Sequence, residues 1–310
     1  MEIFLSLLLL TLGFLMLVKG ADWFVEGASG IAEKFGIPQL VIGLTIVAMG
    51  TSAPEAAVSI SAALRGNADI TVGNIIGSNI LNILVILGIS SVIIPIAVSG
   101  STVFCEIPFM TVITLLLLVQ GMDGTVGFFD GVILVLVFLV YFGYLFIMAR
   151  KGNAARPVAG KKRKLWQFAV ETGVGLGLIV AGSNLAVEGA GDIARIFGMS
   201  ERFIGLTIVV LGTSLPELFT SVSAARKGNA DIAIGNIVGS NIFNILFVIG
   251  ISALIVPVPF SSGFFADAVV AAAAGMLLLA SCIRRRTLGR CSGIVMLLGY
   301  IAYFIFICME

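Results

Sequence analysis

Histidine is absent from the 310-residue chain, and charge is scarce, with Asp, Glu, Lys and Arg together making up 11% of it. The first absence removes the usual proton switch near neutral pH and the commonest ligand for zinc, copper or haem iron. The second excludes an ordinary soluble protein, because soluble domains carry about 25% charged residues to cover their surface. With 59% hydrophobic residues and a mean hydropathy of +1.15, the chain needs bilayer hydrocarbon as solvent for much of its length. A net charge of +1 supplies no global field for nucleic acid. Cys105, Cys282, Cys291 and Cys308 form no CxxC pair and lie in or beside apolar runs, so they read as small apolar residues.

What is present is apolar sequence long enough to span. Such runs cover residues 3–21, 38–64, 70–95, 104–121, 129–149, 165–185, 203–225, 232–257, 264–283 and 292–309. About 20 apolar residues cross a bilayer, so an all-α integral membrane protein of ten transmembrane helices is expected. The N-terminus has no basic n-region and no small-residue cleavage site, so 3–21 is expected to stay as the first span. Residues 150–164 form the one distinct linker, with seven basic residues (Arg150, Lys151, Arg156, Lys161, Lys162, Arg163 and Lys164) and no acidic one. That bias places the linker in the cytoplasm. Arg284, Arg285, Arg286 and Arg290 follow the ninth span and agree, provided both termini are extracellular.

The chain repeats itself. Residues 43–90 (GLTIVAMGTSAPEAAVSISAALRGNADITVGNIIGSNILNILVILGIS) match residues 205–252 (GLTIVVLGTSLPELFTSVSAARKGNADIAIGNIVGSNIFNILFVIGIS) at a constant offset of 162, without a gap. Residues 1–149 and 165–310 thus form two five-helix repeats around the linker. An odd number of spans enters the second repeat from the opposite side, giving inverted repeats related by a two-fold axis in the membrane plane. Such an arrangement supplies two states of similar energy, open to either side, and favours alternating access over a pore.

Spans 2 and 7 contain Gly50-Thr51-Ser52-Ala53-Pro54-Glu55 and Gly212-Thr213-Ser214-Leu215-Pro216-Glu217. Proline within a helix removes one N–H and pushes away the carbonyl four residues back, here those of Gly50 and Gly212. Glu55 and Glu217 place carboxylates at mid-membrane with no lysine or arginine nearby, which is costly without a proton, a partner or a cation. Two glutamates, hydroxyls and freed carbonyls make an all-oxygen site of the kind hard cations such as Ca²⁺ or Na⁺ take. Spans 3 and 8 supply a facing wall: Asn74, Ser78 and Asn82 share one face, and Asn236, Ser240 and Asn244 repeat it. Gly73, Gly77, Gly235 and Gly239 allow close helix approach.

Each feature has a bland counterpart. Small-residue patterns with Ser and Asn are often packing glue, and a lone proline break is often only a kink; together and duplicated they point to a site. Asn79 and Asn241 point elsewhere and are expected only to bond neighbouring helices. Asp22, Glu26, Glu188 and Asp192 lie near span ends, Asp69 and Asp231 look like helix N-caps, and Glu106, Asp123, Asp130 and Asp267 read as boundary residues. The 22 phenylalanines read as lipid-facing bulk.

On its two GTS-x-PE and two GN-x-x-GSN-x-x-N motifs, the sequence resembles the sodium/calcium exchanger family of the calcium/cation antiporters, whose alpha repeats these are. The likeness covers nearly the whole chain and matches prokaryotic members without a regulatory domain. It implies Ca²⁺ binding by Glu55 and Glu217 with the carbonyls of Thr51 and Thr213. It implies Na⁺ binding by Ala48 (carbonyl), Thr51, Ser52, Glu55 and Ser78, and by Val210 (carbonyl), Thr213, Ser214, Glu217 and Ser240. Asn82 and Asn244 would be the central polar pair. Asn244 stands where other members have aspartate, which argues against potassium dependence. The first and sixth spans are expected to slide across the other eight. The expected activity is Na⁺/Ca²⁺ antiport, electrogenic and without a cofactor. A Ca²⁺/H⁺ antiporter is the alternative, and a cation channel the reading from another class. No enzyme is expected, since the residues that intramembrane hydrolysis uses are missing.

Overall fold

The computed structural model describes residues 2–66, 68–152, 163–199 and 210–309. Twelve helices follow: α1 (Glu2–Phe35), α2 (Gln39–Thr51), α3 (Ala53–Leu64), α4 (Thr71–Ile93), α5 (Thr102–Asp123), α6 (Phe128–Gly152), α7 (Leu165–Ile196), α8 (Val210–Thr213), α9 (Leu215–Arg226), α10 (Ala230–Ile255), α11 (Ser262–Cys282) and α12 (Arg290–Met309). Among the described residues eight helices are long and apolar enough to cross a membrane, and α2 with α3 makes a ninth span bent by 51°. The seventh expected span, 203–225, begins in residues outside those described and continues as α8 and α9.

Some expected boundaries shift. Helix α1 has 34 residues, about 51 Å at 1.5 Å per residue, against about 30 Å of hydrocarbon. It runs on through Asp22, Glu26 and Glu33 because Ala, Glu and Lys are strong helix formers. Hydropathy marks where a span leaves lipid, not where its helix stops. Asp231 falls inside the first turn of α10, whose cap is Asn229, and Ala68 takes the cap position before Asp69. Several phenylalanines are core, among them Phe24, Phe138, Phe243 and Phe260.

The halves are bound by two antiparallel ribbons. β1 (Ile96–Ala97) pairs with β4 (Thr287–Leu288), and β2 (Thr125–Val126) with β3 (Val258–Pro259). The two ribbons exchange under the 162-residue offset, as inverted repeats require. The β1–β4 ribbon puts the Arg284–Arg286 loop on the face where α6 ends at the linker. Following the helices from there, Glu2 and Met309 lie on the opposite face.

Helices α4 and α10 form the buried core, and α1 and α7 lie at the periphery along with α6 and α12. In α4 and α10, 78% and 83% of the most apolar window is buried inside the protein, against 22% and 28% for α1 and α7. Those two pack antiparallel along a seam in which Gly13 and Gly20 oppose Gly182 and Gly175. A Cβ on Gly20 would lie 2.8 Å from the Gly175 carbonyl, so the backbones touch directly and dispersion holds them.

Candidate cation site

The site forms where α2–α3 and α8–α9 change direction. One helix stops at Thr51 and another starts at Ala53. Pro54 thus occupies a first helical turn, where its missing N–H has no partner to lose, instead of kinking a continuous helix. Pro216 does the same in α9. Glu55 and Glu217 consequently lie in the first turns of α3 and α9, where the helix dipole favours a carboxylate. Each is 1% exposed, and each lies within electrostatic reach of the other.

Hydroxyls reach across from the opposite repeat. Ser52 Oγ donates to Glu217 Oε1 at 2.8 Å, and Glu55 sits against Thr213 and Ser214. Thr51 Oγ1 donates to Asn236 Oδ1 at 3.0 Å, with the Ala48 carbonyl at 3.2 Å. The same carbonyl accepts from Ser240 Oγ at 3.4 Å. Asn236 and Asn74 hold the wall to the glutamate helices, donating to Ser221 Oγ and Ser59 Oγ, each at 2.9 Å. Val210 opens α8 at the edge of the described residues.

The two asparagine pairs meet at the axis itself. Asn79 Nδ2 donates to the Asn241 carbonyl and Asn241 Nδ2 to the Asn79 carbonyl, at 3.2 and 3.1 Å. Asn82 Nδ2 donates to Asn241 Oδ1 and Asn244 Nδ2 to Asn79 Oδ1, at 2.9 and 3.1 Å. All four amide nitrogens are thereby used, and π-helical turns begin at Asn82 and Asn244. These turns pack against α9 and α3 respectively. Six buried oxygens in this region have no hydrogen-bond partner among the described residues: Glu55 Oε2, Glu217 Oε2, Asn82 Oδ1, Asn244 Oδ1, Ser78 Oγ and Ser214 Oγ. Each is a hard donor for a metal ion, and no lysine or arginine pairs with either glutamate among the described residues.

The sodium/calcium exchanger protein family model matches residues 5–147 and 169–309. The chain belongs to the sodium/calcium exchanger family. It is 42% identical over 308 residues to CaxA of Alkalimonas amylolytica, covering 94% of this chain and 95% of that one. To the sodium/calcium exchanger MaX1 of Methanosarcina acetivorans it is 31% identical over 341 residues, covering 97% of each. A solved structure of the sodium-calcium exchanger NCX_Mj superposes with a TM-score of 0.86 at 33% identity, covering 97% of this chain and 98% of that one. The protein is therefore a multi-pass membrane antiporter.

In this exchanger the fold draws residues expected at the site close to one another and adds supports that sequence reasoning missed. Asn79 and Asn241 do bond a neighbouring helix, but at the two-fold axis, where they fix Asn82 and Asn244. Ser59 and Ser221 share the 162-residue offset, and that coincidence was the available signal. Ser183, whose Oγ donates to the Gly212 carbonyl at 2.6 Å, had none, because its repeat partner is Ala21. Glu106 is no boundary residue. It is 1% exposed in the first turns of α5 and accepts from Tyr144 at 2.6 Å.

Proposed function

We propose that this exchanger expels Ca²⁺ against inward Na⁺ by alternating access, with the ions competing for one set of oxygens. The observation that carries this reading is a set of six buried oxygens, two of them from the carboxylates, that have no hydrogen-bond partner among the described residues. Burying such acceptors unpaired costs about 1–3 kcal/mol each, more for charged groups, so the set is built for a ligand that accepts lone pairs. Ca²⁺ takes six to eight oxygens. It would bind Glu55 and Glu217 with the Thr51 and Thr213 carbonyls and neutralise both charges. Na⁺ ions would use the same glutamates with the Ala48 and Val210 carbonyls and the oxygens of Thr51, Ser52, Ser78, Thr213, Ser214 and Ser240. Asn82 and Asn244 present their amide oxygens between the two groups.

Coupling follows from charge. Empty, the site holds two facing carboxylates, which resist the closure that switching requires; loaded, it is neutral or positive. Counter-transport of more than two Na⁺ per Ca²⁺ makes the cycle electrogenic. The α1–α7 pair is suited to move as one body, since its glycine seam bonds the two helices more closely than either is bonded to the core. On the linker face α1 is tied to α9, Asp22 accepting from Ser223 at 2.6 Å and lying 3.7 Å from Lys227. The equivalents on the other face, Asn184, Glu188, Ser61 and Arg65, are exposed, and their side chains make no hydrogen bond or ion pair to one another among the described residues. That asymmetry supports a state closed on the linker face and open opposite. By the basic bias of residues 150–164, the linker face is cytoplasmic and both termini are extracellular.

A proton-coupled cycle is the second reading. Asn82 and Asn244 are committed as amides, each donating to a fixed oxygen, so protons would have to ride on Glu55 and Glu217 alone. Calcium titration of Glu55→Gln and Glu217→Gln tests the site: either change should abolish binding, and ordinary affinity in either variant would overturn the assignment.

A further inference from the structure

One buried carboxylate has no part in the cation site. Glu106, on α5, lines a 430 Å³ groove between α5 and α6 together with Cys105, Phe109, Leu136, Val140 and Tyr141. Tyr144 satisfies Glu106 Oε1, yet Glu106 Oε2 and the Tyr141 hydroxyl are buried without hydrogen-bond partners among the described residues. The polar end therefore lacks a donor for the carboxylate and an acceptor for the phenol. The remainder of the groove is apolar, and Val140 is 74% exposed where lipid would lie.

Depth sorts these features. The Arg286 guanidinium lies over Phe104 and that of Arg150 over Phe146, at 5.9 and 4.6 Å from the ring centroids. Those rings are two residues from Glu106 and Tyr144, about 3 Å along a helix, so the polar end sits beside the arginine layer at the membrane boundary. From Tyr144 to Leu136 the groove descends eight residues, about 12 Å, most of the roughly 15 Å thickness of one leaflet's hydrocarbon. This is the shape of a lipid, head at the boundary and chain in the hydrocarbon.

The transport symmetry does not call for it. Under the 162-residue offset Glu106, Phe109 and Tyr144 become Ala268, Ala271 and Phe306, so the second repeat does not carry these residues. The nearby Asp267 there accepts from Tyr303 at 2.8 Å. A residue needed by both access states would be expected in both repeats.

We propose that this groove binds one membrane phospholipid whose head bears an N–H-carrying ammonium group, as phosphatidylethanolamine does. The ammonium donates to Glu106 Oε2, an ester or phosphate oxygen of the head accepts from Tyr141, and an acyl chain lies along Phe109, Leu136 and Val140. Phosphatidylcholine offers the same chain and oxygens but no N–H. Phosphatidylglycerol would bring its anionic phosphate against the carboxylate.

The test is native mass spectrometry of the detergent-purified full chain, titrated with phosphatidylethanolamine, phosphatidylcholine and phosphatidylglycerol, and with dodecylamine as a soluble amine. The wild type should retain phosphatidylethanolamine about tenfold more tightly than phosphatidylcholine, the order expected for one charge-assisted hydrogen bond. Glu106→Gln should erase that preference. Val140→Trp, which fills the groove from the lipid side and leaves Glu106 in place, should weaken both lipids together. Displacement by dodecylamine at equal concentration, with no preference among the lipids, would assign the site to free amines and overturn the lipid proposal. Equal retention of all three lipids by wild type and both variants would overturn it too, leaving Glu106 as a tie between α5 and α6.

Discussion

Replacing Asn241 by Ala probes how the cation site is aimed without touching any residue assigned to hold an ion. The change deletes two hydrogen bonds, one to the Asn79 carbonyl at 3.1 Å and one from Asn82 Nδ2 at 2.9 Å. A carbonyl that loses one of its donors loses little. The Asn82 amide is different, because it is 1% exposed and is left with no acceptor. An unsatisfied buried donor costs about 1–3 kcal/mol, and polar contacts between membrane helices fall at the low end, averaging about 0.6 kcal/mol. About 1.4 kcal/mol, a factor of ten, is the working value. Asn82 recovers part of it by turning, which swings Oδ1 away from the site, so the loss appears as ion affinity. Asn241→Ala should therefore raise the Ca²⁺ concentration for half-maximal thermal stabilisation about tenfold. By the two-fold axis Asn79→Ala should do the same through Asn244. Unchanged Ca²⁺ dependence, or an effect at only one of the two positions, would refute the reasoning.

Other outcomes follow from the same geometry. Gly20→Leu pushes a side chain into the Gly175 backbone, and overpacking of about 1–3 kcal/mol should slow exchange about tenfold while equilibrium Ca²⁺ binding is retained; an unchanged turnover rate would remove the seam from the transport cycle. Ser183→Ala frees the Gly212 carbonyl, and because the repeat partner is already Ala21, thermal stability should fall by about 1 kcal/mol with Ca²⁺ affinity intact. In a cysteine-free background, Ala159→Cys should react with an impermeant thiol reagent only after the cells are opened, and labelling of intact cells would reverse the orientation.

Much of this was legible because the chain states its pattern twice. A single Pro-Glu break reads as a kink, whereas the same break 162 residues later, with the same hydroxyls before it, marks a site. Paired asparagines were legible as a face of α4 and α10 but not as a closed circuit, since that depends on how two helices cross. Spans were found to within a few residues where hydropathy and helix end together, as at α11. They were missed by a turn or more at α1 and α7, where helix-forming Glu, Lys and Ala carry the helix beyond the lipid. Glu106 was misread because its position near a span end says nothing of a tyrosine 38 residues later turning toward it.

The most direct test of Na⁺/Ca²⁺ exchange is ⁴⁵Ca²⁺ uptake into proteoliposomes preloaded with Na⁺, with the membrane potential clamped by valinomycin and K⁺, against Na⁺-free and acid-loaded vesicles. Uptake should occur only with the outward Na⁺ gradient and run faster when the interior is held positive, because at a stoichiometry above two more positive charge leaves with Na⁺ than enters with Ca²⁺. Uptake driven by the proton gradient alone, and indifferent to Na⁺, would contradict Na⁺/Ca²⁺ exchange.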